Sequence, residues 1–268
     1  MIVKEKNGEG FLDLRICDNL ELMAEIKDNT IDLIYCDILY GTGRKFSDYQ
    51  DLKPIRSEIE NHYIPRIKEM YRILKPTGSI YLQMDSRISH WVRCIMDGVF
   101  SYGNFRNELV WCYKSGGSSD NGFAKKHDTI LFYSKSKIYT FNPQKEKSYM
   151  KPTSGKNPRQ KYYSDKDGVY TLVNAKDWWI DIGMLSTDAK ERTGYYSQKP
   201  KELIERIIKS GSNEGDLVAD FYSGSFTTAE VCKDLNRSFI GCDINPNCFE
   251  KAKERGLFSF TDKPTNVD

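Results

Sequence analysis

Two apolar runs far apart in the chain, Ile31-Asp32-Leu33-Ile34-Tyr35-Cys36 and Leu217-Val218-Ala219, each end in a polar segment. The first is followed by Asp37-Ile38-Leu39-Tyr40, the second by Asp220-Phe221-Tyr222-Ser223-Gly224-Ser225. Runs this short and this apolar read as strands buried on both faces, the pattern of a parallel sheet covered by helices. In open α/β sheets, ligands bind beyond the carboxyl ends of strands at a switch point. One strand end offers an acid beside an aromatic ring. The other offers a small-residue loop running into a helix, which lets a ligand approach the backbone closely.

The rest of the chain alternates in the same way. Residues 12–17 read as a strand, with Asp18 or Asn19 capping a helix to about Lys27. Ser57 starts a helix whose buried face is Ile59, Tyr63, Ile67, Met70 and Leu74, and Lys75-Pro76-Thr77-Gly78 stops it. Residues 79–84 read as a strand and 86–99 as an amphipathic helix; Asp85 either caps that helix or lines a site. Residues 108–113 and 129–134 read as a strand pair closing the sheet with an antiparallel edge. From 135 to 195 periodicity weakens, while Trp178 and Trp179 argue for a packed insert rather than disorder. Order returns at Pro200, a good first helical residue. The helix carries Leu203, Ile204, Ile207 and Ile208, and then come strand 217–221, helix 227–235, strand 238–242 and helix 246–255. The expectation is an α/β fold, Rossmann-like, with a mostly parallel mixed sheet, helices on both faces and one inserted region.

Composition bears on partners and compartment. The 268 residues are 39% hydrophobic and 29% charged, and no apolar stretch approaches the ~20 residues of a membrane span. The N-terminus lacks the apolar core of a signal peptide, so the cytoplasm is the expected location. Seven cysteines without a Cys-x-x-Cys read as small buried hydrophobes, and His62, His90 and His127 do not complete a zinc site. The net charge is +2, but residues 101–170 carry +7, leaving −5 for the remainder. That stretch also holds 13 of the 34 aromatic residues, which fits either a polyanion-binding surface or a solvated lysine-rich loop.

The second strand end has a spaced partner. Asp243 ends Phe239-Ile240-Gly241-Cys242, 23 residues after Asp220. An acid there accepts hydrogen bonds from ribose hydroxyls in nucleotide-binding folds, or else caps the following helix. Together with Gln198-Lys199-Pro200, residues 195–255 resemble the S-adenosylmethionine-binding half of the DNA adenine-N6/cytosine-N4 amino methyltransferases. Asp37-Ile38-Leu39-Tyr40 is similar to the Asp-Pro-Pro-Tyr tetrapeptide of that family. The likeness continues through Gly41-Thr42-Gly43-Arg44, the Arg72-Ile73-Leu74-Lys75-Pro76 segment, Lys126-His127-Asp128-Thr129 and Asp177-Trp178-Trp179-Ile180. Two departures stand out. Leu39 replaces a turn-stiffening proline, and Phe226 replaces the last glycine of the cofactor turn, where a benzyl group is expected to crowd the pocket or disturb a glycine conformation.

The resemblance implies a class I methyltransferase fold and beta-group motif order. It divides the chain into a catalytic half at 1–136, a target-recognition insert at 137–194, a cofactor half at 195–260 and a tail at 261–268. Asp37 and the Ile38 carbonyl would accept the hydrogens of the target amine, in a turn completed by Leu39, and Tyr40 would stack on an extruded base. S-adenosyl-L-methionine would be held by Gln198, Lys199, Pro200, Asp220, Phe221, Ser223, Gly224, Ser225, Thr227, Thr228 and Asp243. Asp18 would either join them or only cap its helix. Double-stranded DNA is the expected partner, with Arg44, Lys125, Lys126, His127, Lys151, Lys156, Arg159 and Lys161 on its phosphates; His127 contacts phosphate or orders its loop. A homodimer or a companion subunit is a further expectation, and no membrane is. The implied activity is site-specific adenine-N6 methylation, as in restriction-modification. The alternatives are cytosine-N4 methylation and a catalytically impaired DNA-binding subunit that keeps the fold.

Overall fold

The structure, a computed structural model, describes residues 1–46, 49–113, 118–150, 157 and 159–258. Its centre is five parallel strands: β2 (Gly10–Ile16), β3 (Ile31–Asp37), β4 (Leu74–Asp85), β11 (Leu217–Asp220) and β12 (Ser238–Asp243). Their spatial order is β2-β12-β11-β3-β4. The crossover from β11 to β12 runs one way across the sheet and that from β3 to β4 runs the other. The carboxyl ends of β11 and β3, adjacent at the middle, therefore flank the switch point.

Helices cover both faces, as the doubly apolar strands require. Successive residues of β3 point to opposite sides. Ile34 and Cys36 pack under α1 (Asn19–Glu25), α2 (Arg56–Ile73) and α3 (Ser86–Phe100). Leu33 and Tyr35 pack under α4 (Lys201–Gly211), α5 (Thr227–Asp234) and α6 (Cys248–Glu254). Asp32 ties the layer together at the amino end of β3: it holds Lys75 Nζ at 2.8 Å and accepts the Leu217 N–H of β11 at 3.0 Å. Asp85 does cap α3, accepting from Arg87 N at 2.8 Å.

Beyond β4 the sheet turns antiparallel through β6 (His127–Ser134) and β5 (Phe105–Cys112), as the sequence suggests. Three features differ from the sequence reading. A first strand, β1 (Ile2–Asn7), pairs antiparallel with β2. It alternates exposed with half-buried residues and so shows no core-like pattern, although the Asn7-Gly8 turn, with Gly8 at φ 58°, is a hairpin signal. The segment 137–194 is not one unit. A separate sheet of β7 (Lys145–Tyr149), β8 (Tyr163–Asp165) and β9 (Gly168–Asn174) occupies its middle, in the order β7-β9-β8. The short strand β10 (Trp178–Trp179) then returns to the main sheet beside β5. Residues 261–268 lie outside the described residues.

Gly241 fixes how closely β12 approaches the turn after β11. A Cβ there would sit 2.5 Å from the Asp220 carbonyl oxygen and 2.6 Å from Ser223 Oγ. The carbonyl is backbone and cannot swing aside, so an added methyl must push two strands apart. Gly241→Ala is expected to cost about 1–3 kcal/mol of stability, as overpacking does, read by urea unfolding.

Candidate active site

A cleft of about 640 Å³ opens over the carboxyl ends of β2, β3, β11 and β12, a volume in the range of small-molecule sites. Both strand-end segments singled out in the sequence line it, together with Asp18, Gln198, Lys199 and Pro200.

The turn after β11 is held from several sides. Asp220 accepts Tyr222 N at 3.0 Å and Thr228 Oγ1 at 2.6 Å, and burial pushes its carboxyl up to about 7. Ser223 donates its hydroxyl to the Asp220 carbonyl at 2.7 Å. Ser225 Oγ and Thr227 Oγ1 lie 2.9 Å apart, and Arg255, itself paired with Glu230, donates Nε to the Ser225 carbonyl at 2.7 Å. Gly224 adopts φ 49°, and a Cβ there would meet the Tyr195 ring at 3.0 Å. Asp243 accepts Gly224 N at 2.8 Å through one oxygen and Asn245 N at 2.9 Å through the other. It braces the turn and the next loop while still facing the cleft. Phe221 is mainly core: its ring is buried and its carbonyl takes the Asn19 amide at 3.1 Å.

Phe226 overturns the expectation of crowding. Its backbone does take the left-handed conformation, φ 54° and ψ 31°, that glycine would adopt more cheaply. That conformation sends the ring away from the cleft, into the core under α5 and α6. The ring is fully buried and lies edge-on to Phe239 and Phe249, with centroids 6.4 and 5.9 Å away. The cleft therefore keeps a backbone cradle at Gly224 and an acid at Asp243, a pairing that fits a nucleoside cofactor.

At the end of β3, the Lys199 ammonium sits 2.6 Å from Asp37 Oδ2 and 5.0 Å from the centre of the Tyr40 ring. Lys199, expected on the cofactor, is here the partner of Asp37. Burial raises the pKa of Asp37, and Lys199 opposes that shift. Leu39 does not leave the turn loose: Ile38 N donates to the Gln83 carbonyl at 3.0 Å and the Tyr63 hydroxyl to the Leu39 carbonyl at 2.9 Å. Asp51, 3% exposed, then gathers Gly41 N at 3.0 Å, Thr42 N at 2.7 Å and Leu52 N at 2.8 Å. The Tyr40 hydroxyl points inward, 2.9 Å from Asp37 and 2.5 Å from Asp128.

Other expected residues fall in distinct roles. Asp18 caps α1 through Leu20 N at 2.8 Å and pairs with Arg66 at 3.0 Å, and it also lines the cleft. Gln198 ties its own loop, taking Thr193 N at 2.9 Å and donating to the Glu191 carbonyl at 2.7 Å. Of the basic residues, Arg44, Lys125, Arg159 and Lys161 are exposed, whereas Lys126 and His127 are half-buried at the start of β6. Lys151 and Lys156 lie outside the described residues. Sequence reasoning missed Asp51, Asp128, Arg255 and the role of His62, whose Nε2 lies 3.0 Å from the Tyr222 hydroxyl.

Two outcomes follow. Phe226→Gly relieves about 1–2 kcal/mol of left-handed strain but empties a core site worth about 3–5 kcal/mol. A net loss of about 2 kcal/mol on urea unfolding is expected, with no tightening of ligand binding in the cleft. His62 is held neutral: burial, helped by Arg66, lowers its pKa from 6.5 to about 4. Between those values the unfolded chain takes up a proton that the fold refuses, so His62 makes stability fall as pH drops from 6.5 toward 4. His62→Gln should flatten that slope, by on the order of 1–2 kcal/mol between pH 7 and pH 4.5 in urea unfolding.

A family described as DNA methylase matches residues 31–254. Type II methyltransferase M.HpaI of Haemophilus parainfluenzae is 34% identical over 243 residues, covering 90% of this chain and 73% of the relative. DNA adenine methyltransferase YhdJ of Escherichia coli (strain K12) is 30% identical over 241 residues, covering 85% of this chain and 76% of the relative. Among solved structures, the PvuII DNA methyltransferase, cytosine-N4-specific, superposes with a TM-score of 0.66 at 17% identity, covering 96% of this chain and 88% of that one. That likeness concerns the fold. The sequence relationships go further, and the chain belongs to the N6/N4 DNA methylase family.

Proposed function

We propose that this DNA methyltransferase acts on the N6 amine of adenine in double-stranded DNA, with Asp37 and Tyr40 at the reacting centre and Asp243 on the cofactor ribose. The observation that carries this reading is that the Asp37 carboxylate and the Gly224–Asp243 cradle line one cleft. The E. coli relative is named for adenine, and that favours adenine over cytosine. The braced Leu39 turn and the inward-packed Phe226 favour an active enzyme over a subunit that only keeps the fold.

The adenine amine is a poor nucleophile because its lone pair is delocalised into the ring. Asp37 and the Ile38 carbonyl accept its two hydrogens and favour a more pyramidal nitrogen. Lys199 aims and charges Asp37, and the Tyr40 face stacks on the extruded base. S-adenosylmethionine, when bound, supplies the electrophilic methyl group. Asp243 ends β12 at the rim of the cleft and accepts the ribose hydroxyls there. Arg44, Lys125, Arg159 and Lys161 hold phosphates, which position the duplex without reading its sequence.

The test is incubation with genomic DNA and labelled S-adenosylmethionine, followed by nucleoside mass spectrometry. N6-methyladenine is expected from the parent and none from Asp37→Ala, with cofactor affinity by calorimetry kept within about threefold. N4-methylcytosine would replace the assigned target. An unmodified DNA pool despite cofactor binding would point to the non-catalytic alternative.

A further inference from the structure

Tyr40 has one phenolic proton, yet its oxygen lies 2.9 Å from Asp37 Oδ1 and 2.5 Å from Asp128 Oδ2. Both are hydrogen-bond distances between oxygens, and one proton cannot serve both if the two carboxyls are ionised. The other donors are already committed. Gln83 Nε2 donates to Asp128 Oδ2 at 2.8 Å, and the Tyr113 hydroxyl donates to Asp128 Oδ1 at 3.1 Å. Lys199 donates to Asp37 Oδ2. Asp37 Oδ1 is the oxygen left to carry a second proton, given to Tyr40 while Tyr40 gives its own to Asp128. The titratable and charged groups facing this bridge are Lys199, Tyr35 through its 2.9 Å bond to Gln83, Tyr113, Asp85, opposite Asp128 on β4, and Asp220 and Tyr49, which face Asp37 across the cleft. Asp128 is 2% exposed, but it borders the cleft.

We infer that Asp37, Tyr40 and Asp128 form a proton bridge that accepts the proton lost by the methylated amine and delivers it to Asp128. The inference rests on the methyltransferase reading. After methyl transfer, an N–H bond of the product ammonium breaks, its electron pair stays on nitrogen, and the proton joins Asp37 Oδ1. That proton passes to Tyr40 as the Tyr40 proton passes to Asp128 Oδ2. The products are a neutral amine, an ionised Asp37 and a protonated Asp128, which returns its proton to water in the opened cleft. The structure holds the proton-loaded form, which must release its proton to water before Asp37 can act again as the acceptor. Asp128 touches no substrate atom and is a positioning residue acting through Tyr40.

Infrared spectroscopy of the protein alone, at a pH below the acid limb of its methylation profile, tests the shared proton. A protonated-carboxyl band is expected that either Asp37→Asn or Asp128→Asn removes, because each leaves one phenol proton for one carboxylate. Asp220→Asn identifies the separate contribution of that buried acid. In steady-state methylation, Asp128→Asn and Tyr40→Phe should each lower kcat about tenfold or more. KM and cofactor affinity should stay within about twofold, which also checks folding. Without the Asp128 charge the acid limb of the Asp128→Asn pH profile should move to lower pH, and the double variant should be no slower than either single one. A band that survives both Asp variants, or a parental kcat and acid limb in Asp128→Asn, overturns the bridge. Losses that multiply in the double variant overturn it too. A parent that shows the band but methylates no DNA sinks the methyltransferase reading and the amine's part with it. Methylation without the band sinks the bridge alone.

Discussion

The contact between Lys199 and Asp37 spans 162 residues of sequence and 2.6 Å of space. Its side chains are 12% and 17% exposed, so both charges have left most of their water behind. Such a pair gives little net stability, but removing one member leaves the other buried and uncompensated. The consequence is geometric. The segment leading into α4 is pinned to the end of β3, and the half of the chain that carries the glycine turn is thereby registered against the half that carries the acid. The Tyr40 ring, bounded by the same ammonium on one side and by Asp128 at its hydroxyl, is held in the same arrangement.

The turn at Gly224 to Phe226 shows how one backbone angle decides between two opposite roles for a side chain. A left-handed residue at the head of α5 costs energy unless it is glycine. Here the residue is phenylalanine, and the ring is recovered as core against Phe239 and Phe249. The ligand-facing surface of the turn is thus backbone and small side chains, and the bulk lies behind it.

Much of this was legible in the sequence, because parallel strands buried on both faces leave continuous apolar runs and helices leave a 3.6-residue period. The two strand-end motifs, the spaced Asp243 and the helix at Pro200 are all written in that code. The sequence could not show where Lys199 or Gln198 would point, since a motif fixes position along the chain and not the rotamer. Asp128 was hidden for a related reason: it is one acid inside the apolar strand β6, and its partner Tyr40 is 88 residues away. The strands β7 to β9 escaped notice because neither face is buried deeply enough to select apolar residues. Tyr163 stacks on Tyr170 across that small sheet instead, with Tyr149 tilted against Tyr170, and Lys147 pairs with Asp165.

The two rims of the nine-stranded sheet have a consequence for association. One rim is β1, with Lys4, Glu5 and Lys6 in succession; the other is β10, only two residues long. A charged rim and a very short one both discourage the addition of a further strand from another chain. At these two rims, contact with another macromolecule therefore falls to side chains and loops rather than to extension of the sheet.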